Sequence, residues 1–464
     1  YLFIAVVSSS MKEVVIRAFT AAVNAVNPFE CVRKCLLVSS SSISFNGSST
    51  SIDIDQSTPL YLISFGKAAA AMTKGAEEIL GKRLKKGITI VPKIEETSHP
   101  LKSTVYEGAR SNLPDMRSIE ATKEVLRMVD CAERNAVFLV LISGGGSALL
   151  SLPLKGITLD HKLSTIHTLV SKGASIQQLN AVRRVLSQVK GGGLLERFGE
   201  RKSISLILSD IVGDPLEFIA SGPTVHPQSS IRAATVIDEL NVRSNLPNEV
   251  IHAIDSEKTS SSVVSNGAQH VIIGNNSIAL KEAKNLLDAR GFTSTIATCT
   301  RVGDAGDFGR EVANTVVRLK NGEKTAILYG GETTVNLPPN CGKGGRNQHA
   351  ALAAMIELSK RRDEWKDLNF CLLFGGTDGQ DGTDAAGSIL SSRDIIDMSS
   401  QEREKAEKAL MQANSYNFWN DFKGAIDRIS EIFKSISGGK CHFKPGLTGT
   451  NVMDITLILS DSSI

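Results

Sequence analysis

Residues 137–147 read VFLVLISGGGS, six apolar residues running without interruption into Ser143, Gly144, Gly145, Gly146 and Ser147. An apolar run of this length bounded by turn residues has the signature of a strand covered on both faces. The arrangement recurs five times: 60–65 (LYLISF) before Gly66-Lys67, 204–208 (ISLIL) before SDIVGD, 270–273 (HVII) before GNNS, 326–329 (AILY) before GGETT, and 370–374 (FCLLF) before GGTDGQDGTD. Helix-like segments lie between these runs, such as 68–84 and 277–290, the latter stopped by Gly291. Strands alternating with helices predict an α/β protein whose largely parallel sheets are covered by helices. In such sheets ligands bind beyond the carboxyl ends of the strands, and all six polar clusters fall there.

The rest of the chain agrees with that reading. Its 464 residues correspond to two or three domains at about 100–200 residues each. A composition of 41% hydrophobic and 22% charged residues, with 39 Gly and 13 Pro, is that of a globular protein. Lys plus Arg less Asp plus Glu is 52 − 49 = +3, so the summed charge points to neither a nucleic-acid nor a membrane partner. The seven cysteines are odd in number, widely spread and form no CxxC, which disfavours a disulfide framework or zinc site and suits a reducing compartment. The apolar opening, residues 2–7, is too short for a spanning helix, and the first Arg is Arg17. A cytoplasmic location is expected, with a mitochondrial one the open alternative. Around Asn46-Gly47, the alternation of Ile43, Phe45, Ile52 and Ile54 predicts a hairpin. The polar stretch 255–266 is the expected domain boundary.

Several clusters carry chemistry. Ser143–Ser147 can offer successive backbone N–H groups to a phosphate or carboxylate. It is no dinucleotide fingerprint, because GxGxxG read from Gly144 fails at Leu149, and GxxxxGK[ST] occurs nowhere. Lys67, among small residues at a strand end, can hold or polarise an anion; the alternative is a solvated surface lysine. Residues 342–348 (GKGGRNQ) form a glycine-rich loop running into a helix, with Arg346 in its first turn, suited to two parallel bonds with an oxyanion. Asp378, Asp381 and Asp384 are spaced three apart after one strand, and Asp210 and Asp214 bracket another turn. Carboxylates at a phosphate site serve Mg²⁺ or accept a proton, although Asp-Gly pairs also simply make turns. The scattered His99, His161, His167, His226 and His349 form no metal motif and are read as structural.

From residue 11 to 459 the chain resembles glycerate kinases of the family whose C-terminal half is the MOFRL domain. The resemblance rests on LISGGGSALL with GITL downstream, GASIQQLNAVRRVLSQVKGG, LSDIVGDPLEFIASGPT, GGETTVNL, GKGGRNQ, GGTDGQDGTDAAG and LTGTNVMDI. It implies a Rossmann-like N-terminal domain over 11–260, a C-terminal α/β region with the MOFRL domain over 261–464, and an active site in the cleft between them. The implied reaction is ATP-dependent phosphorylation of D-glycerate, typically at the 2-hydroxyl, with Mg²⁺. Lys67 and Arg346 match the family's active-site Lys and Arg. Substrate and phosphate would be bound by Ser143, Gly144, Gly145, Gly146, Ser147, Asn275, Glu332, Asn347, Thr450 and Asn451, and the metal by Asp210, Asp214 and Asp378. Departures exist: Ser64-Phe65 stand where the family has small residues, His349 replaces a Glu, residues 98–103 read SHPLKS for GHPxPD, and 446–451 read GLTGTN for GPTGTN. Expected partners are therefore the small molecules D-glycerate and ATP, with no nucleic acid and no membrane. A hydroxypyruvate reductase and a non-catalytic phosphosugar or nucleotide sensor are the alternative readings.

Overall fold

The computed structural model describes residues 10–47, 51–94, 100–110, 113–227, 231–257, 268–422 and 441–461. Residues 2–7, His99 and most of the polar stretch 255–266 lie outside this set. The chain forms two compact units, Pro28–Ile273 and Tyr1–Asn27 with Gly274–Ile464. The division expected at 260/261 is thus shifted, and the beginning of the chain belongs with its C-terminal half. The reason lies in helix Met11–Ala25, whose buried face includes Val15, Ile16, Phe19 and Ala22. Phe19 meets Phe443 edge-on at 4.9 Å, and Lys12 forms a buried 2.9 Å ion pair with Asp394.

In the unit Pro28–Ile273, β1 (Leu36–Val38), β2 (Ser42–Phe45) and β3 (Ser51–Asp53) make a small antiparallel sheet. Ile43 opposes Ile52 across the expected hairpin. The main sheet contains β4 (Leu60–Phe65), β5 (Leu84–Val91), β6 (Thr104–Glu107), β7 (Val137–Ile142), β8 (Lys202–Leu208) and β9 (Gln269–Gly274). Its order is β6-β5-β4-β7-β8-β9, which in chain order of its own strands is the doubly wound 3-2-1-4-5-6. The β4–β5, β4–β7, β5–β6 and β7–β8 pairings are all parallel. Every residue of β4 and β7 is buried, as continuous apolar runs require when helices cover both faces. Phe138 of β7 stacks on Phe198 at 4.4 Å within this core. A separate helical core, including Ile157, Leu169, Val182, Val236 and Val250, is built from residues 157–254.

The other unit holds β10 (Thr293–Arg301), β11 (Thr325–Gly331), β12 (Phe370–Gly376), β13 (Gly387–Ser391), β14 (His442–Phe443) and β15 (Asp454–Ser460), in the order β10-β11-β15-β12-β13-β14. Here the expectation of parallel strands holds only for β10–β11; the other pairings are antiparallel. GGTDGQDGTD is a hairpin loop joining β12 to antiparallel β13 rather than a turn into a helix. β15 runs between β11 and β12 against both, so its first residue, Asp454, pairs with Gly331 on one side and Gly376 on the other.

Candidate functional site

A doubly wound sheet opens a crevice where its strand order reverses, here between β4 and β7. The turns that follow these two strands are locked together. Lys67 N–H donates to Gly144 O at 2.8 Å, and Ala68 N–H donates to Ser143 Oγ at 3.1 Å. Gly66 has φ 131°, and a Cβ there would lie 2.1 Å from Ser143 Oγ, so neither its conformation nor its space admits a side chain.

The loop after β7 is flanked by opposite charges. A Cβ on Gly144 would lie 2.2 Å from Asp210 Oδ2, and one on Gly145 would lie 3.3 Å from Lys67 Cγ. The glycines are therefore small because a carboxylate and a lysine stem occupy the adjoining space. Among the described residues, the Gly144 and Gly145 N–H groups have no acceptor. Burial pushes the Asp210 carboxyl above its ordinary value, opposed by its own backbone N–H and by the charge of Lys67. Lys67 is exposed. Ser147 Oγ lies 2.9 Å from Ser221 Oγ. Ser221 belongs to three successive residues at positive φ: Ala220 (51°), Ser221 (64°) and Gly222 (60°). Strain of this kind in non-glycine residues persists where surrounding structure enforces it and clusters at functional sites. The only trace of it in the sequence is the SGP of IASGPT.

In the unit containing β10–β15, Arg346 opens helix Arg346–Lys360 after Gly345, which is its N-cap. Its fork is already engaged: Nε donates to Asp454 Oδ2 at 2.5 Å and a terminal nitrogen donates to Asp454 Oδ1 at 3.1 Å, while the other terminal nitrogen lies 2.8 Å from Glu332 Oε1. The expectation that both parallel bonds are free for an external anion is corrected accordingly, because the buried Asp454 needs a counter-charge. Burial lowers the affinity of the Arg346 guanidinium for its proton, but Asp454 and Glu332 outweigh it and the net shift is upward. Burial raises the Asp454 carboxyl, with Arg346 pulling it down. Asn347 Nδ2 also donates to Asp454 Oδ1 at 3.0 Å. Sequence reasoning passed over Asp454, because it begins an antiparallel strand instead of following a parallel one.

Asp381 caps the same helix. Its carboxylate accepts from Asn347 N–H at 3.2 Å and from Gln348 N–H at 2.9 Å. Burial pushes it up to about 6, against those two backbone bonds. Folding thus favours the protonated form: its contribution to stability is complete below about 4, the value of an exposed Asp, and is lost as pH rises through about 6. Chemical denaturation of Asp381→Asn at pH 4 and pH 7 should show a smaller fall in stability between the two than the parent shows; an equal fall would remove Asp381 as its source.

The remaining candidates divide between chemistry and structure. Asp378 Oδ1 accepts from Gln380 N–H at 3.0 Å, closing a turn. Asp384 is exposed and bound to Tyr416 and Lys444. Asp214, at φ 55°, closes the turn begun at Ile211. Asn275 caps helix Asn276–Ala289 by accepting from Ile278 N–H, Thr450 Oγ1 donates to Val26 O, and Asn451 Oδ1 accepts from Met453 N–H. Among the described residues no three His, Cys, Asp or Glu side chains gather as a metal site. Asp210 nevertheless suits Mg²⁺ in the manner usual for nucleotide enzymes, one carboxylate completed by phosphate oxygens.

Fold and site together define an α/β protein that collects cations, carboxylates and open backbone N–H groups at strand ends, the chemistry of small phosphorylated anions. Residues 14–255 match the domain of unknown function DUF4147, and residues 325–454 match the MOFRL family. The chain is 37% identical to an uncharacterized protein of Caenorhabditis elegans, over 96% of this chain and 98% of that one. It is 34% identical to the D-glycerate 2-kinase of Thermotoga maritima, over 97% and 98%. A crystal structure of glycerate kinase from Thermotoga maritima superposes with a TM-score of 0.77 at 31% identity, over 97% of this chain and 99% of that chain. The chain belongs to the glycerate kinase family that carries DUF4147 and MOFRL domains. Among the described residues no helix is long and apolar enough to cross a membrane.

Proposed function

We propose that the protein transfers the γ-phosphoryl group of ATP to the 2-hydroxyl of D-glycerate, giving 2-phospho-D-glycerate and ADP. The observation that carries this reading is the arrangement at the β4/β7 switch point, where Lys67 and Asp210 flank a loop with open N–H groups. Phosphoryl transfer depends on positioning and charge neutralisation more than on covalent catalysis, and these groups supply both. Lys67 and the N–H groups of Gly144 and Gly145 hold phosphoryl oxygens. Arg346, held by Asp454 and Glu332, is the cation assigned to the carboxylate of glycerate. Mg²⁺, when bound with the nucleotide, neutralises phosphate charge, and Asp210 is the carboxylate fitted to hold it. Nothing favours a reductase, since the first βα turn, Phe65-Gly66-Lys67-Ala68, lacks the dinucleotide glycines.

Purified protein incubated with ATP and Mg²⁺ should form ADP only when D-glycerate is present, with the phosphate on the 2-hydroxyl by product analysis. Oxidation of NADH by hydroxypyruvate without ATP turnover would sink the proposal. Asp210→Asn should fold normally and raise the Mg²⁺ concentration giving half-maximal rate by about tenfold, since the amide keeps the shape and loses the charge. An unchanged Mg²⁺ dependence would take the metal away from Asp210.

A further inference from the structure

The segment 173–192, GASIQQLNAVRRVLSQVKGG, has no part in the site so far. Lys190 and Lys162 are 5% and 3% exposed, respectively. Lys190 Nζ donates to Ser147 O at 2.7 Å, and Lys162 Nζ donates to Ser151 Oγ at 3.1 Å. Arg183, half-buried, donates to Asn180 Oδ1 at 3.3 Å. The two lysines therefore converge, from residues far apart in sequence, on the segment that follows β7. Among the described residues, no carboxylate forms an ion pair with any of the three. The same groups repel one another: burial lowers Lys190 well below its ordinary value and Lys162 to about 8, with Arg183 adding to both.

Buried cations without a counter-charge are costly, and clusters of this kind are kept where a ligand supplies the missing charge. A three-carbon monocarboxylate carries too little charge for three cations. Beside Lys190 and Gly191 lies an open groove of about 1280 Å³, whose walls carry Lys155, Arg184, Lys190 and Arg232 against the carboxylates of Glu196, Glu249 and Glu257. That volume exceeds the usual range for a drug-sized ligand and leaves ample room for a nucleotide.

We propose that Lys190 binds the phosphate chain of a nucleoside triphosphate entering through this groove, with Lys162 and Arg183 adding positive charge behind it. The proposal rests on the kinase reading and adds the residues that hold the nucleotide. Full-length protein and the variants Lys162→Met, Arg183→Gln and Lys190→Gln are compared by calorimetric titration and thermal unfolding, with MgATP, tripolyphosphate and D-glycerate as separate probes. The parent should bind MgATP and be stabilised by tripolyphosphate. Each variant should bind MgATP about tenfold or more weakly while keeping its D-glycerate affinity. Lys162→Met should unfold, without ligand, at the same temperature as the parent or higher, because an uncompensated cation has gone; a merely structural lysine would give a lower temperature and an intact ligand response. MgATP affinity within about twofold of the parent, or loss confined to D-glycerate, overturns the site. If Lys190→Gln does not fold, half-buried Arg183→Gln decides alone. A parent that binds D-glycerate but neither phosphate probe defeats the kinase reading itself, whereas a parent that binds all three with unaffected variants defeats only this site.

Discussion

Asp454→Ala should destabilise the protein by about 3 kcal/mol, near the lower end of what breaking a buried ion pair costs, and should leave little activity. Asp454 is buried at the head of the central strand β15 and receives the Arg346 fork at 2.5 and 3.1 Å and Asn347 at 3.0 Å. Its removal leaves Glu332 as the one ion-pair partner of the guanidinium among the described residues, and the Asn347 amide loses an acceptor. The lower end applies because the Arg346 side chain keeps 33% of its surface in water. Urea unfolding of parent and variant measures the difference. A loss below about 1 kcal/mol would place the pair among exposed ion pairs of little consequence, and Arg346 would need another positioning group.

The same residue shows where sequence stops being legible. β4 and β7 could be recognised because they are buried on both faces, and a strand of that kind is apolar throughout. Their following turns then mark the switch point, and Lys67, Ser143 and Asp210 come with it. No comparable rule exists for the second sheet. Its β12 is as apolar as β7, yet the residues after it form a hairpin, and the deciding strand, β15, arrives about 80 residues later in the opposite direction. The glycine-rich loop of residues 342–348 marks Arg346, whereas the carboxyl ends of the strands do not lead to Asp454, its partner. Asp381 was visible as a carboxylate but not as a helix cap, because the helix it caps begins 35 residues earlier in the chain. Lys162 and Lys190 were hidden for a related reason: each looks like an ordinary surface lysine until the fold brings both to one segment.

Lys67→Met should lower kcat/KM by about a hundredfold or more while leaving the melting temperature nearly unchanged. The two effects separate because of where the residue lies. Its backbone N–H does the structural work, holding the turn to Gly144 O at 2.8 Å, and any residue but proline supplies that bond. Its side chain is exposed, rests on Gly145 and forms no ion pair within 4 Å among the described residues, so its loss stays within the few tenths of a kcal/mol typical of surface substitutions. The ammonium, by contrast, is an exposed cation beside the open N–H groups of the loop. Removing a single donor from such a preorganised oxyanion site typically costs 10²–10³ in rate. Lys67→Arg supplies the control: the charge is kept, but a planar fork replaces a compact ammonium, so part of the rate should return. Steady-state kinetics beside thermal unfolding tests both variants. A Lys67→Met enzyme with a near-normal rate would make Lys67 a solvated surface residue; a large fall in melting temperature would mean that the side chain packs, and that its kinetic effect says nothing about phosphate.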